Sequence, residues 1–228
     1  MGGQVLFQDA LQERLQLIQP SKQDIERLLA AHPPRLTPGV AEVVERLQAR
    51  GTHVYLVSGG FRQMINPVAS RIKVPVHRIF ANNLLFSADG SYSGFDETEP
   101  TSRYGGKPAV IQRLKDRHGY SSVVMIGDGA TDMQARPPAD AFIGFGGVVI
   151  REKVKQGADW FITDFKVSDG PWIDTAVSSP RSRTFSMSWT RPPAPTGRCK
   201  LNRFTFCGSD RRYSSCCVNI SPSRESER

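Results

Sequence analysis

The first 198 residues of this chain contain no cysteine, and no stretch is apolar and long enough to cross a membrane. The four cysteines, Cys199, Cys207, Cys216 and Cys217, lack the Cys-x₂-Cys spacing of zinc sites. We therefore predict neither a disulfide framework nor a zinc site, and expect free thiols in a reducing compartment. Since no signal-peptide pattern is present either, we expect a cytoplasmic location and no membrane partner.

Acidic side chains are also in short supply at the carboxyl end. After residue 166 the chain carries ten basic and five acidic side chains, which gives +5 of the formal net charge of +8. Such a segment can attract acidic surfaces weakly. It carries no signature of a nucleic-acid-binding module, so we predict no specific nucleic-acid partner.

The most informative stretch present is an apolar run that ends in acidic residues. Residues 123–126 are all apolar and lead directly into Gly127 and Asp128, with Asp132 four residues further on. This pattern predicts a buried parallel strand that delivers a carboxylate to one edge of a sheet. Two carboxylates beside glycine backbone suit an oxygen-preferring ion such as Mg²⁺. The alternative is an ordinary loop in which an acidic side chain caps a helix.

A second apolar run, residues 53–57, leads into Ser58, Gly59 and Gly60, and a helical pattern follows. A hydroxyl, two glycines and a helix start are typical of phosphate recognition, because the backbone amides can approach an anion closely. An ordinary strand-to-helix turn would have the same composition and remains an alternative.

A third feature is Lys107, which follows Gly105 and Gly106 at the start of a predicted helix. Pro108 favours the first helical position, so Lys107 would project where it could offset phosphate charge. This is not a P-loop, because Pro108 stands where Ser or Thr is required. The alternative is a solvated surface lysine.

Apolar periodicity predicts strands that alternate with helices, which indicates an α/β fold with a parallel sheet covered on both faces. We expect a hairpin over 84–95 that turns at Asp89 and Gly90, and Ser21 as a helix cap. The expected helices are 7–19, 22–31, 39–50, one beginning near Phe61, one beginning near Lys107, and 148–156. The expected strands lie near 53–57, 79–80, 123–126, 141–143 and 160–162.

Together these features resemble motifs two, three and four of the haloacid-dehalogenase phosphohydrolases, and the segments below resemble the animal type of the phosphoserine phosphatase family within them. The resemblance covers Met1 to about Phe165. It implies a haloacid-dehalogenase-like Rossmannoid sheet and Mg²⁺-dependent hydrolysis of O-phosphoserine to serine and phosphate, the last step of serine biosynthesis. The segments are Leu36-Thr-Pro-Gly39, Val57-Ser-Gly-Gly-Phe-Arg62, Gly94-Phe-Asp-Glu-Thr98, Met125-Ile-Gly-Asp-Gly-Ala-Thr-Asp-Met133 and Pro137-Pro-Ala-Asp-Ala-Phe-Ile-Gly-Phe-Gly-Gly147.

The resemblance also implies roles for individual residues. Asp128 would bind the metal, Asp132 would steady its water shell, and Arg14 would bind the substrate carboxylate. Catalytic roles fall on Ser58, Lys107 and Asp132, and the substrate-binding set is Met1, Gly2, Arg14, Ser58, Gly59, Gly60, Lys107 and Thr131.

One family motif is missing from these 228 residues. Family members carry Asp-x-Asp-x-Thr at the end of a first, central strand, where the first Asp attacks phosphorus and the second transfers protons. No Asp-x-Asp occurs in the sequence, and the stretch Asp96-Glu97-Thr98 lacks a preceding apolar strand. We expect an inactive truncated isoform or gene fragment with only weak Mg²⁺ binding. A working phosphatase and a non-catalytic phosphate-binding or interaction protein are the alternatives.

We predict three regions: a remnant of a helical cap over 1–35, a haloacid-dehalogenase-like core over 36–165, and a basic, Ser- and Pro-rich tail over 166–228 that we expect to be disordered. The missing strand would leave a gap between the strands that end at Val57 and Ile126. Those strands could pair directly, another segment could fill the gap, or the open edges could drive self-association or a homodimer.

Overall fold

A computed structural model of the chain describes residues 7–165 and 215–218. The helices are α1 (Phe7–Ile18), α2 (Lys22–Ala31), α3 (Val40–Ala49), α4 (Arg62–Arg71), α5 (Gly106–His118), α6 (Ala130–Met133) and α7 (Glu152–Gly157). The strands are β1 (Val54–Phe61), β2 (Ile79–Asn82), β3 (Leu84–Phe86), β4 (Tyr92–Phe95), β5 (Val124–Gly127), β6 (Ala141–Phe145), β7 (Trp160–Ile162) and β8 (Ser215–Val218).

The main sheet has six strands in the order β2-β1-β8-β5-β6-β7. β1 and β2 are parallel, as are β5 and β6, and β6 and β7. Helices cover both faces, so the predicted α/β class with a parallel sheet is confirmed. β3 and β4 form a separate antiparallel hairpin, and Gly90 in its turn has a φ of +83°, which confirms the predicted turn.

The central position of the sheet is filled by β8, which pairs antiparallel with both β1 and β5. Val218 lies opposite Val54 and Val124, and Ser215 lies opposite Gly127. Of the three outcomes expected for the gap, filling by another segment is observed, and the division into a core over 36–165 and a tail over 166–228 stays a prediction. The other residues of 166–228 lie outside the described part of the chain.

Two apolar clusters lie on opposite faces of the sheet, and successive strand residues alternate between them. Leu56 and Ile126 belong to the cluster beneath α3 and α4. Tyr55 and Met125 belong to the cluster on the other side, together with Ile111 of α5. Because the central strands are buried on both faces, their sequences are continuous apolar runs, as sequence analysis assumed.

The first two helices bury little of their surface. Leu15 is the buried apolar residue of α1, and α2 has none. Ser21 caps α2 as predicted: its hydroxyl accepts a hydrogen bond from the Asp24 amide, and the Asp24 carboxylate accepts one from the Ser21 amide. The Lys22 amide also donates to the Gly90 carbonyl, which ties α2 to the hairpin turn. A cap remnant over 1–35 stays a prediction.

Candidate functional site

Ser58, Gly59 and Gly60 lie within the carboxyl half of β1 rather than in a turn. The strand continues to Phe61, which pairs with Asn82 of β2, and α4 begins at Arg62. The Ser58 hydroxyl is buried and accepts a hydrogen bond of 3.0 Å from the Gly60 amide. One of the amides expected to face a phosphate is therefore used within the strand, because pairing with β2 extends β1 past the glycines.

A buried polar pair that sequence analysis missed holds this part of β1 in place. The Asn82 amide group donates to the Gly59 carbonyl at 2.8 Å, and the Thr101 hydroxyl donates to the Asn82 side-chain oxygen at 3.0 Å. Asn82 has no solvent exposure. Its position at the end of a short apolar strand was the available signal, since a buried amide needs hydrogen-bond partners.

Lys107 and Asp132 form a buried ion pair. Lys107 Nζ lies 2.6 Å from Asp132 Oδ1, and the two side chains are 9% and 1% exposed. The other carboxylate oxygen of Asp132 accepts a hydrogen bond of 2.9 Å from the Gly129 amide. Helix α5 begins at Gly106, so Pro108 is its third residue rather than its first, and Lys107 turns inward instead of being a solvated surface lysine.

Gly127 is required by this ion pair. A Cβ atom at this position would lie 2.2 Å from Cγ of Asp132. The end of β5 and the first turn of α6 approach so closely that only glycine leaves space for the carboxylate. The Gly-Asp pattern that marked the site therefore has a packing cause as well as a chemical one.

The Asp128 carboxylate is also paired. Nη1 of Arg151, the residue just before α7, donates to both the backbone carbonyl and Oδ2 of Asp128. The side chains of Asp128 and Arg151 are 12% and 33% exposed. Sequence analysis missed Arg151, since it lies 23 residues from its partner and in no motif used above.

The other residues predicted to belong to the site are exposed or lie outside the described part of the chain. Arg14 is exposed on α1, which packs against the 100–102 turn near the start of α5, and Thr131 is exposed on α6. Met1 and Gly2 lie outside the described residues. The fold thus places four of the predicted residues at one edge of the sheet, where β1 and β5 end and α5 begins. They are Ser58, Lys107, Asp128 and Asp132.

A cavity of about 430 Å³ lies elsewhere, beside the ion pair between Arg62 and Glu99. His77 and Arg113 also line it, whereas Ser58, Lys107, Asp128 and Asp132 do not. The edge of the sheet that carries Ser58, Lys107, Asp128 and Asp132 and this cavity are therefore different parts of the molecule. No helix within the described residues is long and apolar enough to cross a membrane.

Comparison with known proteins decides the family. The sequence model of the haloacid dehalogenase-like hydrolase family matches residues 7–135, more than half of the chain. The phosphoserine phosphatase of Bos taurus is 58% identical over 165 residues, which are 72% of this chain and 73% of the relative. This chain belongs to the haloacid dehalogenase-like hydrolases, in the phosphoserine phosphatase family.

Solved structures agree with the fold. A phosphoserine phosphohydrolase-like protein from Francisella tularensis superposes with a TM-score of 0.61 at 29% identity, covering 70% of this chain and 74% of its own. A phospho-aspartyl intermediate analogue of a phosphoserine phosphatase superposes with a TM-score of 0.58 at 26% identity, covering 70% and 74%. The predicted fold class and family are thereby confirmed.

Phosphatases of this family generally use Mg²⁺, so the described residues can be tested as ligands. No group of three His, Cys, Asp or Glu side chains suited to a metal occurs among them. The guanidinium of Arg151 contacts the Asp128 carboxylate, and the ammonium of Lys107 contacts Asp132. Mg²⁺ needs near-octahedral oxygen donors, and this arrangement does not supply a completed set.

Proposed function

We propose that the chain of 228 residues is a phosphoserine phosphatase relative that does not itself hydrolyse O-phosphoserine. The observation that carries this proposal is the antiparallel strand β8 between β1 and β5. At the edge of the sheet where β1 and β5 end, β8 begins with Ser215, opposite Gly127. The resemblance would instead place the end of a central strand and its acidic motif there. The central strand therefore delivers no carboxylate to this edge, and the sequence contains no Asp-x-Asp.

The chemistry of phosphate transfer through an aspartate explains why this matters. A carboxylate oxygen forms a bond to phosphorus, the phosphorus–oxygen bond to serine breaks, and the departing oxygen takes a proton from an acid. Water then attacks the acyl phosphate and releases phosphate. Among the described residues, Asp128 and Asp132 are the carboxylates that follow β5 at this edge, and each contacts a cationic side chain. Because each carboxylate already contacts a cationic side chain, we expect neither to act as a replacement nucleophile.

The retained residues support recognition of a phosphate ester more than its hydrolysis. Ser58 and the glycines beside it, with Lys107, would bind the phosphoryl group. Arg14 would bind the substrate carboxylate, and Met1, Gly2 and Thr131 would complete the pocket. O-phosphoserine, serine and phosphate are accordingly the ligands we propose to test. Weak Mg²⁺ binding and a cytoplasmic location also remain predictions.

A dedicated phosphate-binding function, in which tight binding of the ligand is the role of the chain, is a less favoured alternative. The Ser58 hydroxyl accepts from the Gly60 amide, and Lys107 contacts Asp132. An incoming phosphate would compete with these contacts, which lowers the affinity expected of a dedicated anion site.

The test is release of inorganic phosphate by the purified full chain, supplied with O-phosphoserine and Mg²⁺. We expect no release above that of the Asp128→Asn variant, because acid–base catalysis alone contributes about 10²- to 10⁴-fold and covalent catalysis is lost as well. The Bos taurus relative serves as the positive control. Saturable release by the chain, lost in Asp128→Asn, would contradict the proposal and point to a replacement nucleophile.

A further inference from the structure

The position between β1 and β5 has two strand-pairing sides, and one short segment pairs with both. Cys217 lies opposite Tyr55 on one side and Met125 on the other. Cys216 lies opposite Leu56 and Ile126 in the same way. Every residue of β5 and the first five residues of β1 are buried, so backbone groups in this position have no water to bind.

We propose that the space between β1 and β5 is a strand-binding site and that the chain's own segment Ser215–Val218 is its ligand. The segment then acts as an intramolecular plug. It hydrogen-bonds two inner strand edges that would otherwise be open to another molecule. The carboxyl-terminal segment is in this case part of the folded unit, independently of whether the chain has phosphatase activity.

The same copy of the chain is the occupant that the geometry favours. Phe165, the last described residue before β8, packs in the core and stacks on Phe145 with ring centroids 4.7 Å apart. Residues 166–214 join it to β8, and a chain of this length can span on the order of 100 Å. That reach exceeds the size of a compact domain. A tethered segment has a high effective concentration at its site, so it outcompetes the same segment of a second copy.

The register of β8 against β1 and β5 allows its position to be tested directly by disulfide formation in the full chain. Cys217 is kept as the one native thiol by replacing Cys199, Cys207 and Cys216 with serine, and a second cysteine is introduced by Met125→Cys or, separately, by Tyr55→Cys. Residues directly opposite in an antiparallel pair have Cα atoms about 4.5 to 5.5 Å apart, within the range that a disulfide spans. We expect both proteins to form an intramolecular disulfide on mild oxidation, seen as a shift of the monomer to faster migration without reductant.

The matched control is Ile126→Cys in the same background. This position neighbours Met125 but is one residue out of register with Cys217, and its side chain lies on the other face of the sheet. We expect little or no disulfide from it. Bonding by both Met125→Cys and Tyr55→Cys identifies a strand between β1 and β5, since a strand on an outer edge reaches one of them at most.

Other results would overturn the proposal. Covalent dimers in place of the faster monomer would make a second copy the occupant, and no disulfide from either variant would mean that β8 is not in this position.

Because either substitution could weaken folding, Cys217→Pro and Cys217→Ala provide a second measurement. Proline removes a backbone donor and alanine does not. We expect the proline variant to self-associate in size-exclusion chromatography and the alanine variant to elute like the parent; identical elution of all three would also contradict the proposal.

Discussion

β8 and its two neighbours show how differently a strand can be encoded. β1 and β5 are apolar runs that end in Ser58-Gly59-Gly60 and Gly127-Asp128, and they pair with β2 and β6 in the parallel direction of the family fold. β8 is a four-residue segment of a basic tail and runs against both of them. Two strongly patterned strands therefore create a strand position whose occupant need not carry a strong sequence pattern, since the hydrogen bonds of a ladder involve backbone atoms.

The largest effect should follow from opening the ion pair at the end of β5. Asp132→Ala leaves the ammonium of Lys107 buried without this partner, and we expect a loss of about 3 to 5 kcal/mol in the free energy of unfolding. Arg27→Ala, which removes an exposed pair with Asp24, should leave the free energy of unfolding nearly unchanged, because water screens an exposed pair. Urea titration of both variants measures the difference. Similarly small losses of stability in both variants would mean that the ion pair between Lys107 and Asp132 does not stabilise the end of β5.

A smaller loss is expected when β8 itself is weakened. Cys217→Pro should lower the free energy of unfolding by about 1 to 3 kcal/mol, because a strand between two others loses a ladder hydrogen bond and leaves an acceptor unsatisfied. Cys217→Ala keeps the backbone donor and provides the comparison. If the two variants unfold at the same urea concentration, β8 contributes nothing that its neighbours need.

We predict that Arg151 competes with Mg²⁺ for the carboxylate of Asp128. Arg151→Gln removes the guanidinium that contacts this carboxylate, so we expect Mg²⁺ to bind about tenfold more tightly, which corresponds to about 1.4 kcal/mol. Lys153→Gln removes an exposed charge two residues away and should leave the dissociation constant nearly unchanged. Calorimetric titration of the parent and both variants measures it. Micromolar affinity in the parent would show that Arg151 does not compete with the ion.

The smallest expected effect lies at the opposite, amino end of β1. Desolvation, with smaller contributions from Arg78 and His118, lowers the pKa of His53 below its usual value of 6.5, and desolvation likewise lowers the pKa of His118. The unfolded chain then binds protons more readily than the folded one. Stability should therefore fall as the pH drops from about 6.5 through the lowered values, and stay level above 6.5. His53→Gln should flatten that slope in thermal melts recorded between pH 5 and 8; an unchanged slope would contradict the assignment.

Much of the site was predictable because its residues lie in local patterns. Apolar runs locate β1 and β5, and the glycines and carboxylates that follow them mark the edge where Ser58, Lys107, Asp128 and Asp132 occur. Asn82 and Arg151 were not predictable in this way, since each lies outside the motifs and contacts a partner 23 residues away. Helix α7 begins at Glu152 rather than near 148, because Val148, Val149 and Ile150 remain exposed before it.

β8 was beyond sequence reasoning for a different reason. Four residues cannot establish a periodicity, and their pairing depends on a vacant position created by strands far earlier in the chain. The extension of β1 through Gly60 to Phe61 has a similar cause, since pairing with Asn82 overrides the turn tendency of the two glycines. Local preference decides which segments can be strands, and tertiary pairing decides where they end.

Amide hydrogen exchange of the full chain shows directly whether the chain's own β8 completes the sheet. Successive backbone amides of a strand point alternately to its two neighbours, so a strand with both neighbours protects all of its amides. We predict slow exchange at every amide of 124–127, where β5 pairs with β8 on one side and with β6 on the other, with the edge strand β7 at 160–162 as the internal reference for alternating protection. Alternating fast and slow exchange in β5, as in β7, would mean that the position beside β5 is open and that β8 does not occupy it.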